Sequence, residues 1–289
     1  MPSTQALKTR IRSVKSTKQI TKAMQLVAAS KMRRAQEATK ASAAYTNAAR
    51  ELLAELATRT SVKNHPLFVA NPVKTRLLIL IASDKGLAGA YNSNIMRLFT
   101  QELKKDEAAN IKNKTITIGR KASQFAARIK GMDVIGAYEE LPDNPDGSEL
   151  RAILDVIRQN FTDKSVEAVD VIYTDFVSSV VQEAKMVRVL PAGAGIEAPV
   201  GSPREVSYEP STEEVLNGVA FRLVEAQIFQ ALLDARASEH SMRMMAMKNA
   251  TDNANDLIDD LTLAMNKARQ GAITQELAEI SGGVEALSE

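Results

Sequence analysis

The sequence predicts an α/β protein in which a long helix at each end flanks a domain of alternating strands and helices. Three observations carry this reading. All prolines except Pro2 fall between residues 66 and 210, as do nine of the thirteen glycines, so the breakers are concentrated in the middle. Apolar residues change from helical spacing at the ends to continuous runs in the middle. Charge is sorted as well: residues 1–40 hold ten Lys or Arg and one acid, residues 41–204 hold 21 and 19, and residues 205–289 hold six and fifteen. The ends therefore carry about +9 and −9 while the middle is nearly neutral, and ends of opposite sign can lie together.

Bulk composition narrows the function classes. At 289 residues the chain suffices for one domain with additions, or for two. Hydrophobic residues make up 45% but aromatics only 4%, with no tryptophan, so aliphatic and alanine-rich packing is expected. The absence of cysteine excludes disulfides, thiolate metal sites and cysteine nucleophiles. His65 and His240 are the only histidines, which argues against a histidine zinc site or a catalytic triad. No run of eighteen apolar residues is present to span a bilayer.

The first sixty residues read as one helix, free of glycine and of proline after Pro2, with Ser3 or Thr4 as cap and Asn64-His-Pro as stop. Leu7, Ile11 and Val14 form an apolar stripe that Ile20, Met24 and Val27 continue, and Ala28, Ala29, Ala35 and Ala38 admit a close neighbour. The basic side chains from Lys8 to Arg34 admit four readings: a solvated face, a nucleic-acid surface, a targeting peptide, or a dock for an acidic protein. No aromatic residue precedes Tyr45 and no nucleic-acid motif is present, which argues against the second. The uninterrupted helical pattern to residue 60 argues against the third.

In the middle, residues 75–82 predict a buried strand by their continuous apolar run, Leu77 to Ala82. Shorter strands are expected at 115–119, 132–136 and 168–173, with helices at about 92–108, 120–130 and 148–161. Residues 180–190 are expected to pair with 168–176 as a hairpin. Strand and helix alternate, which predicts a largely parallel sheet. The turn Ser83-Asp-Lys-Gly-Leu-Ala-Gly-Ala-Tyr-Asn-Ser-Asn94 lies between strand and helix, where phosphates are often held. Gly86 and Gly89 fit neither nucleotide-binding template, and no G-K-[ST] follows, so a tight structural turn is expected. Asp84, Asp170 and Asp175 stand near strand ends without a histidine partner and are read as turn caps, not as acid–base groups.

Residues 191–210, with four prolines and three glycines, form an exposed connection. Ser211 and Glu214 then make a capping box that opens the last helix. Most of 211–289 as one helix at about 1.5 Å per residue would reach roughly 110 Å, longer than a compact domain of this chain would be. Met242, Met244, Met245 and Met247 are expected to pack on the first helix, and Asp252, Asp256, Asp259 and Asp260 to face its cations. Ile273, Leu277, Ile280, Val284 and Leu287 recur at steps of 4, 3, 4 and 3, one stripe of a helix.

Three blocks, in order, carry a family resemblance: Ile11-Arg-Ser-Val-Lys-Ser-Thr-Lys-Gln-Ile-Thr-Lys-Ala-Met24 with Val27–Arg34; Ser83–Asn94; and Met247–Leu263 with Lys267–Gly283. The chain resembles the gamma subunit of F-type ATP synthases, of the bacterial type. The resemblance implies an antiparallel coiled coil of the long N- and C-terminal helices, residues 1–60 and 211–289, plus a Rossmann-like α/β foot domain at 70–205. It implies a central rotor shaft that couples ion-driven rotation of the c-ring to ATP synthesis at a hexamer of alpha and beta subunits. The subunit itself would have no catalytic site, cofactor or metal. Epsilon and the c-ring would be partners at the foot and delta an indirect one, with no nucleic acid. The place would be the cytoplasmic face of the bacterial inner membrane, peripheral through the complex. By matched position, Met24, Lys31, Arg33 and Arg34 would lie near the acidic lever of beta, and Arg269, Gln270, Thr274 and Glu276 would meet beta loops. Ile273, Leu277, Ile280, Val284 and Leu287 would turn in an apolar sleeve. A free α/β nucleotide-binding protein with helical extensions is the alternative, and the unmatched phosphate motif argues against it.

Overall fold

The computed structural model describes residues 4–58, 65–143, 145, 147–192 and 212–288. The expected caps at Ser3 and Ser211, the stop at Asn64 and nearly all of the connection 191–210 lie outside these residues. So do the side chains of Glu214, Val284 and Leu287. The described chain contains α1 (Thr4–Thr58), β1 (Thr75–Ile81), α2 (Tyr91–Ala108), β2 (Lys112–Ile118) and α3 (Arg120–Ala126). There follow β3 (Asp133–Tyr138), a 3-10 turn (Ser148–Leu150), α4 (Arg151–Thr162), β4 (Ala168–Phe176), β5 (Gln182–Leu190) and α5 (Thr212–Ser288). The chain divides into two compact units, Met1–Val27 with Met244–Glu289, and Ala28–Arg243.

The larger unit is built on a five-stranded sheet in the order β3-β2-β1-β4-β5, parallel except for the antiparallel β5. β1 is central because its run Leu77 to Ile81 is apolar on both faces, and both faces are covered. One face carries Leu77, Ile79 and Ile81 in a core with α4 and residues 220–235 of α5. The other carries Leu78 and Leu80 against Tyr91, Ile95 and Phe99 of α2. At about 1.5–3 kcal/mol for each large apolar side chain withdrawn from water, these two layers dominate the unit's stability.

Boundaries shift where pairing overrides local pattern. β2 begins at Lys112, not 115, because it runs alongside β1 from Thr75↔Lys112 onward. β3 extends to Tyr138 through its ladder with Ile118. α3 ends at Ala126 instead of 130: the Arg128 and Ile129 amides turn back onto Phe125 and Ala126, and Gly131 has φ +76. β5 starts at Gln182 because the Ser178 hydroxyl accepts the Val180 and Val181 amides at 3.2 and 3.0 Å, closing a turn over those residues. Gly119 is required after β2: at φ +94, a Cβ would stand 2.2 Å from the Ala82 carbonyl oxygen.

The smaller unit joins the start of α1 to the distal part of α5. Leu7, Ile11 and Leu261 are buried together, with Val14, Ile258, Met265 and Ala268 around them. Thr251 donates its hydroxyl to Thr21 at 2.8 Å. Low residue numbers on one helix meet high ones on the other. The expected ionic pairing is corrected: Asp252, Asp256, Asp259 and Asp260 are exposed and form no ion pair with α1 among the described residues. The contact is made by apolar and small side chains, whose burial is favourable without the desolvation that close ion pairs demand.

Candidate functional site

A sheet in this order reverses direction between β1 and β4, and the crevice beyond their carboxyl ends is where such folds bind ligands. Here α5 occupies it. Ser238 donates to the Thr174 carbonyl at 3.1 Å, and Ser241 to that of Ser179 at 2.7 Å. Arg243 donates to the carbonyls of Lys85 and Gly86 at 3.1 and 3.3 Å, and Arg236 to that of Leu141 at 2.8 Å. Residues 231–241 are buried all round the helix. The glycine-bearing turn is pinned from within, since Asn92 accepts the Ser83 amide at 3.1 Å and Ser83 donates its hydroxyl to the Lys85 carbonyl at 2.7 Å. Leu87 and Gly89 take positive φ in that turn. A mount for a helix stands where a nucleotide would.

Of the three carboxylates read as turn caps, only Asp84 holds backbone amides, whereas Asp170 and Asp175 lie within β4 and form ion pairs. Asp84 accepts the Arg120 and Glu140 amides, each at 3.0 Å, and lies 3.6 Å from Arg236. Asp175 pairs with Lys185 at 2.7 Å. Asp170, with no exposed surface, is held between Arg76 and Arg188. Arg76 is itself buried and also meets Asp106 at 2.9 Å and Glu102 at 3.4 Å. Sequence reasoning missed this cluster, although two signals for it were present. Arg76 interrupts an apolar strand, and Glu102 and Asp106 continue the buried stripe of α2 from Tyr91, Ile95 and Phe99.

The expected partner-facing residues fall into two groups. Lys31 is half-buried and bound to Asp143 at 2.5 Å, while Arg33 and Arg34 are exposed with no ion pair among the described residues. Burial pushes the Asp143 carboxyl up, but the hydrogen bond and charge of Lys31 outweigh it and hold the group below its ordinary value. His240 lies 3.6 Å from the same carboxylate, and burial keeps its pKa low. Met24 is half-buried. Arg269, Gln270, Thr274 and Glu276 are all exposed on α5, with the Thr274 hydroxyl donating to its own helix at Gln270. Ile273, Leu277 and Ile280 are 49%, 62% and 64% exposed, an apolar stripe with no cover among the described residues. The methionine patch divides: Met242 packs on the α2 side of the sheet, Met247 is buried in the smaller unit, and Met245 is exposed.

A protein-family model described as ATP synthase matches residues 3–287. The chain is 38% identical over 288 residues to the ATP synthase gamma chain of Xylella fastidiosa (strain M12), covering 99% of this chain and 100% of the relative. This chain belongs to the ATP synthase gamma-chain family. The gamma chain of Pelotomaculum thermopropionicum is 40% identical over 289 residues, with 99% of this chain and 100% of that one covered. The Euglena gracilis mitochondrial ATP synthase, solved as an OSCP/F1/c-ring assembly, contains a chain of the same fold (TM-score 0.71, 17% identity, 98% of this chain and 94% of that one). A chain of the Tetrahymena thermophila mitochondrial ATP synthase central stalk and c-ring matches with TM-score 0.62 and 25% identity over 80% of this chain and 99% of that one. As a gamma chain it is a non-catalytic subunit, the rotor shaft of the synthase. No helix among the described residues is long and apolar enough to cross a membrane.

Proposed function

We propose that this gamma chain transmits torque between a c-ring and an alpha/beta hexamer through an antiparallel coiled coil of residues 1–60 and 211–289, mounted on a foot of residues 70–205. The end-to-end match to gamma chains, 38–40% identical over essentially the full length, carries this reading. The opposed pairing of Leu7 and Ile11 with Leu261, and of Thr21 with Thr251, supports the coiled coil. The alpha/beta and c-ring partners are inferred from the assemblies that hold the Euglena and Tetrahymena relatives. Epsilon binds the foot and delta acts indirectly. The whole is peripheral to the cytoplasmic face of a bacterial inner membrane.

Each contact has a physical role in this reading. Arg33 and Arg34, exposed and without an ion pair among the described residues, meet the acidic lever of beta beside Met24 and Lys31. Arg269, Gln270, Thr274 and Glu276 offer hydrogen-bonding groups to beta loops. Ile273, Leu277 and Ile280, with Val284 and Leu287 beyond them, turn inside an apolar sleeve. Dispersion and burial are non-directional, so an apolar surface slides past its partner at little cost. Co-expression with alpha and beta subunits tests the proposal. The expected result is a stable complex whose ATPase exceeds that of alpha and beta alone. A chain that ignores the hexamer, or that hydrolyses ATP in isolation, overturns it.

A further inference from the structure

Between α1, the β4–β5 face of the sheet and α5, within the larger unit, lies a cavity of about 210 Å³. At roughly 30 Å³ per molecule that is space for about seven waters. Its polar lining is unbalanced. Gln227, 8% exposed, lines it and makes no side-chain hydrogen bond among the described residues, though its amide is not sealed from solvent. Gln230 donates from one nitrogen to the Thr39 carbonyl at 3.4 Å and to Asp234 at 3.1 Å, which fixes the orientation of its amide. Its buried oxygen then accepts nothing. Asp234, also 8% exposed, receives that single bond and forms no ion pair among the described residues.

The other charges at the cavity do not correct this. Asp175 pairs with Lys185 at 2.7 Å, and the Lys185 ammonium also stands 5.3 Å from the Tyr173 ring centre. Arg50 lies at the rim with its side chain exposed. Asp234 is left without an ion pair among the described residues, and the Gln230 amide oxygen without a donor. A buried oxygen such as that of Gln230 is costly unless something fills its valence. An anion would meet Asp234 and Asp175. A divalent metal would find too few ligands, since no group of three metal-binding side chains exists among the described residues.

We propose that this cavity is a binding site for a small organic cation bearing N–H donors, an alkylammonium or guanidinium group, with Asp234 as counter-ion and Gln230 and Gln227 as hydrogen-bond partners. The bound cation joins α1, the sheet and α5 at one point of the mount. Burial, and after it the charge of Asp175, push the Asp234 carboxyl up to about 6, against the hydrogen bond of Gln230 and the charge of Lys185. Facing groups are Tyr173 and Asp175 on β4, Lys185 on β5 and Arg50 on α1. Protonation removes the charge that holds the ligand, so affinity falls as pH drops through that value.

The test is a titration of the full chain, labelled with ¹⁵N, with propylammonium chloride, following the side-chain amide signals of Gln227 and Gln230. Tetramethylammonium chloride, which has charge without N–H donors, and sodium propionate are the controls. At pH 8 propylammonium alone is expected to give saturable shifts. The amine stays protonated at pH 5, where its affinity is expected to be about tenfold weaker, as a carboxyl titrating at about 6 is then mostly neutral. Asp234→Asn is expected to weaken binding by about tenfold or more at pH 8, from the loss of a buried charge pair. No saturable shift, an equal response to either control, or unchanged affinity in Asp234→Asn would each overturn the site and leave a water-filled cavity. Should that variant not fold, the comparison of pH 8 with pH 5 in the unaltered protein decides.

Discussion

Arg76 shows how one side chain sets the architecture around it. A guanidinium inside a strand is stable there only because Asp170, Asp106 and Glu102 converge on it. Arg76→Met leaves Glu102 and Asp106 buried without that partner, so a loss of about 3–5 kcal/mol is expected in urea unfolding. Arg188→Met is expected to cost less, because Arg188 is a third exposed and Asp170 keeps Arg76. Asp234 makes a prediction of opposite sign. Its folded pKa of about 6 lies above the unfolded carboxylate value of about 3.9, so between these the folded state binds more protons. Stability contributed at this site therefore falls as pH rises from about 4 to about 6. Asp234→Asn is expected to raise stability by about 1–3 kcal/mol at pH 8, with the gain gone below pH 4, read from denaturation midpoints across pH.

At the scale of the element, α5 is one helix with three kinds of surroundings. Residues 231–241 are covered on every side, residues 251–261 on one stripe, and residues 271–278 on none. No single amphipathic pattern describes such a helix, and its continuity through Gly218 and Gly271 is supported by length more than by composition. The middle stripe gives a paired test. Leu261, 9% exposed, packs with Leu7 and Ile11, whereas Leu263 is 72% exposed. Leu261→Ala is expected to destabilise by about 2–3 kcal/mol and Leu263→Ala by less than about 0.5 kcal/mol in thermal unfolding followed by circular dichroism. In α2 the stripe changes chemistry along its length, apolar to Phe99 and acidic from Glu102. That switch identifies the helix end lying over Arg76.

For the whole molecule, the division of labour is between side chains that serve the fold and those left for the assembly. Lys31 belongs partly to the first class, since it holds Asp143, while Arg33 and Arg34 are exposed, form no ion pair among the described residues and are proposed for the second. Arg33→Glu with Arg34→Glu is expected to leave the stability of the isolated chain within about 1 kcal/mol, because exposed charges seldom hold a fold. ATP synthesis by the reconstituted complex is expected to fall severalfold, measured in energised vesicles against an assembly control. Unchanged synthesis with intact assembly would remove these residues from the coupling path. Lys31→Glu belongs in a separate variant, because it also breaks a contact within the chain.

The sequence by itself determined the α/β class, the long helical ends, the central strand and the family. Each of these rests on local pattern: breakers segregate, apolar runs have period, and three blocks recur in order. It also showed that the Ser83–Asn94 turn lacks a phosphate motif. Only the tertiary structure decided what stands in the crevice beyond that turn, because Ser238, Ser241 and Arg243 come from more than 140 residues away. The same holds for the pairing of the chain ends. Their net charges suggested an ionic contact, yet Leu7, Ile11 and Leu261 make it, and the aspartates stay in water. Net charge sums over all faces of a helix, whereas packing depends on the one stripe that faces its neighbour.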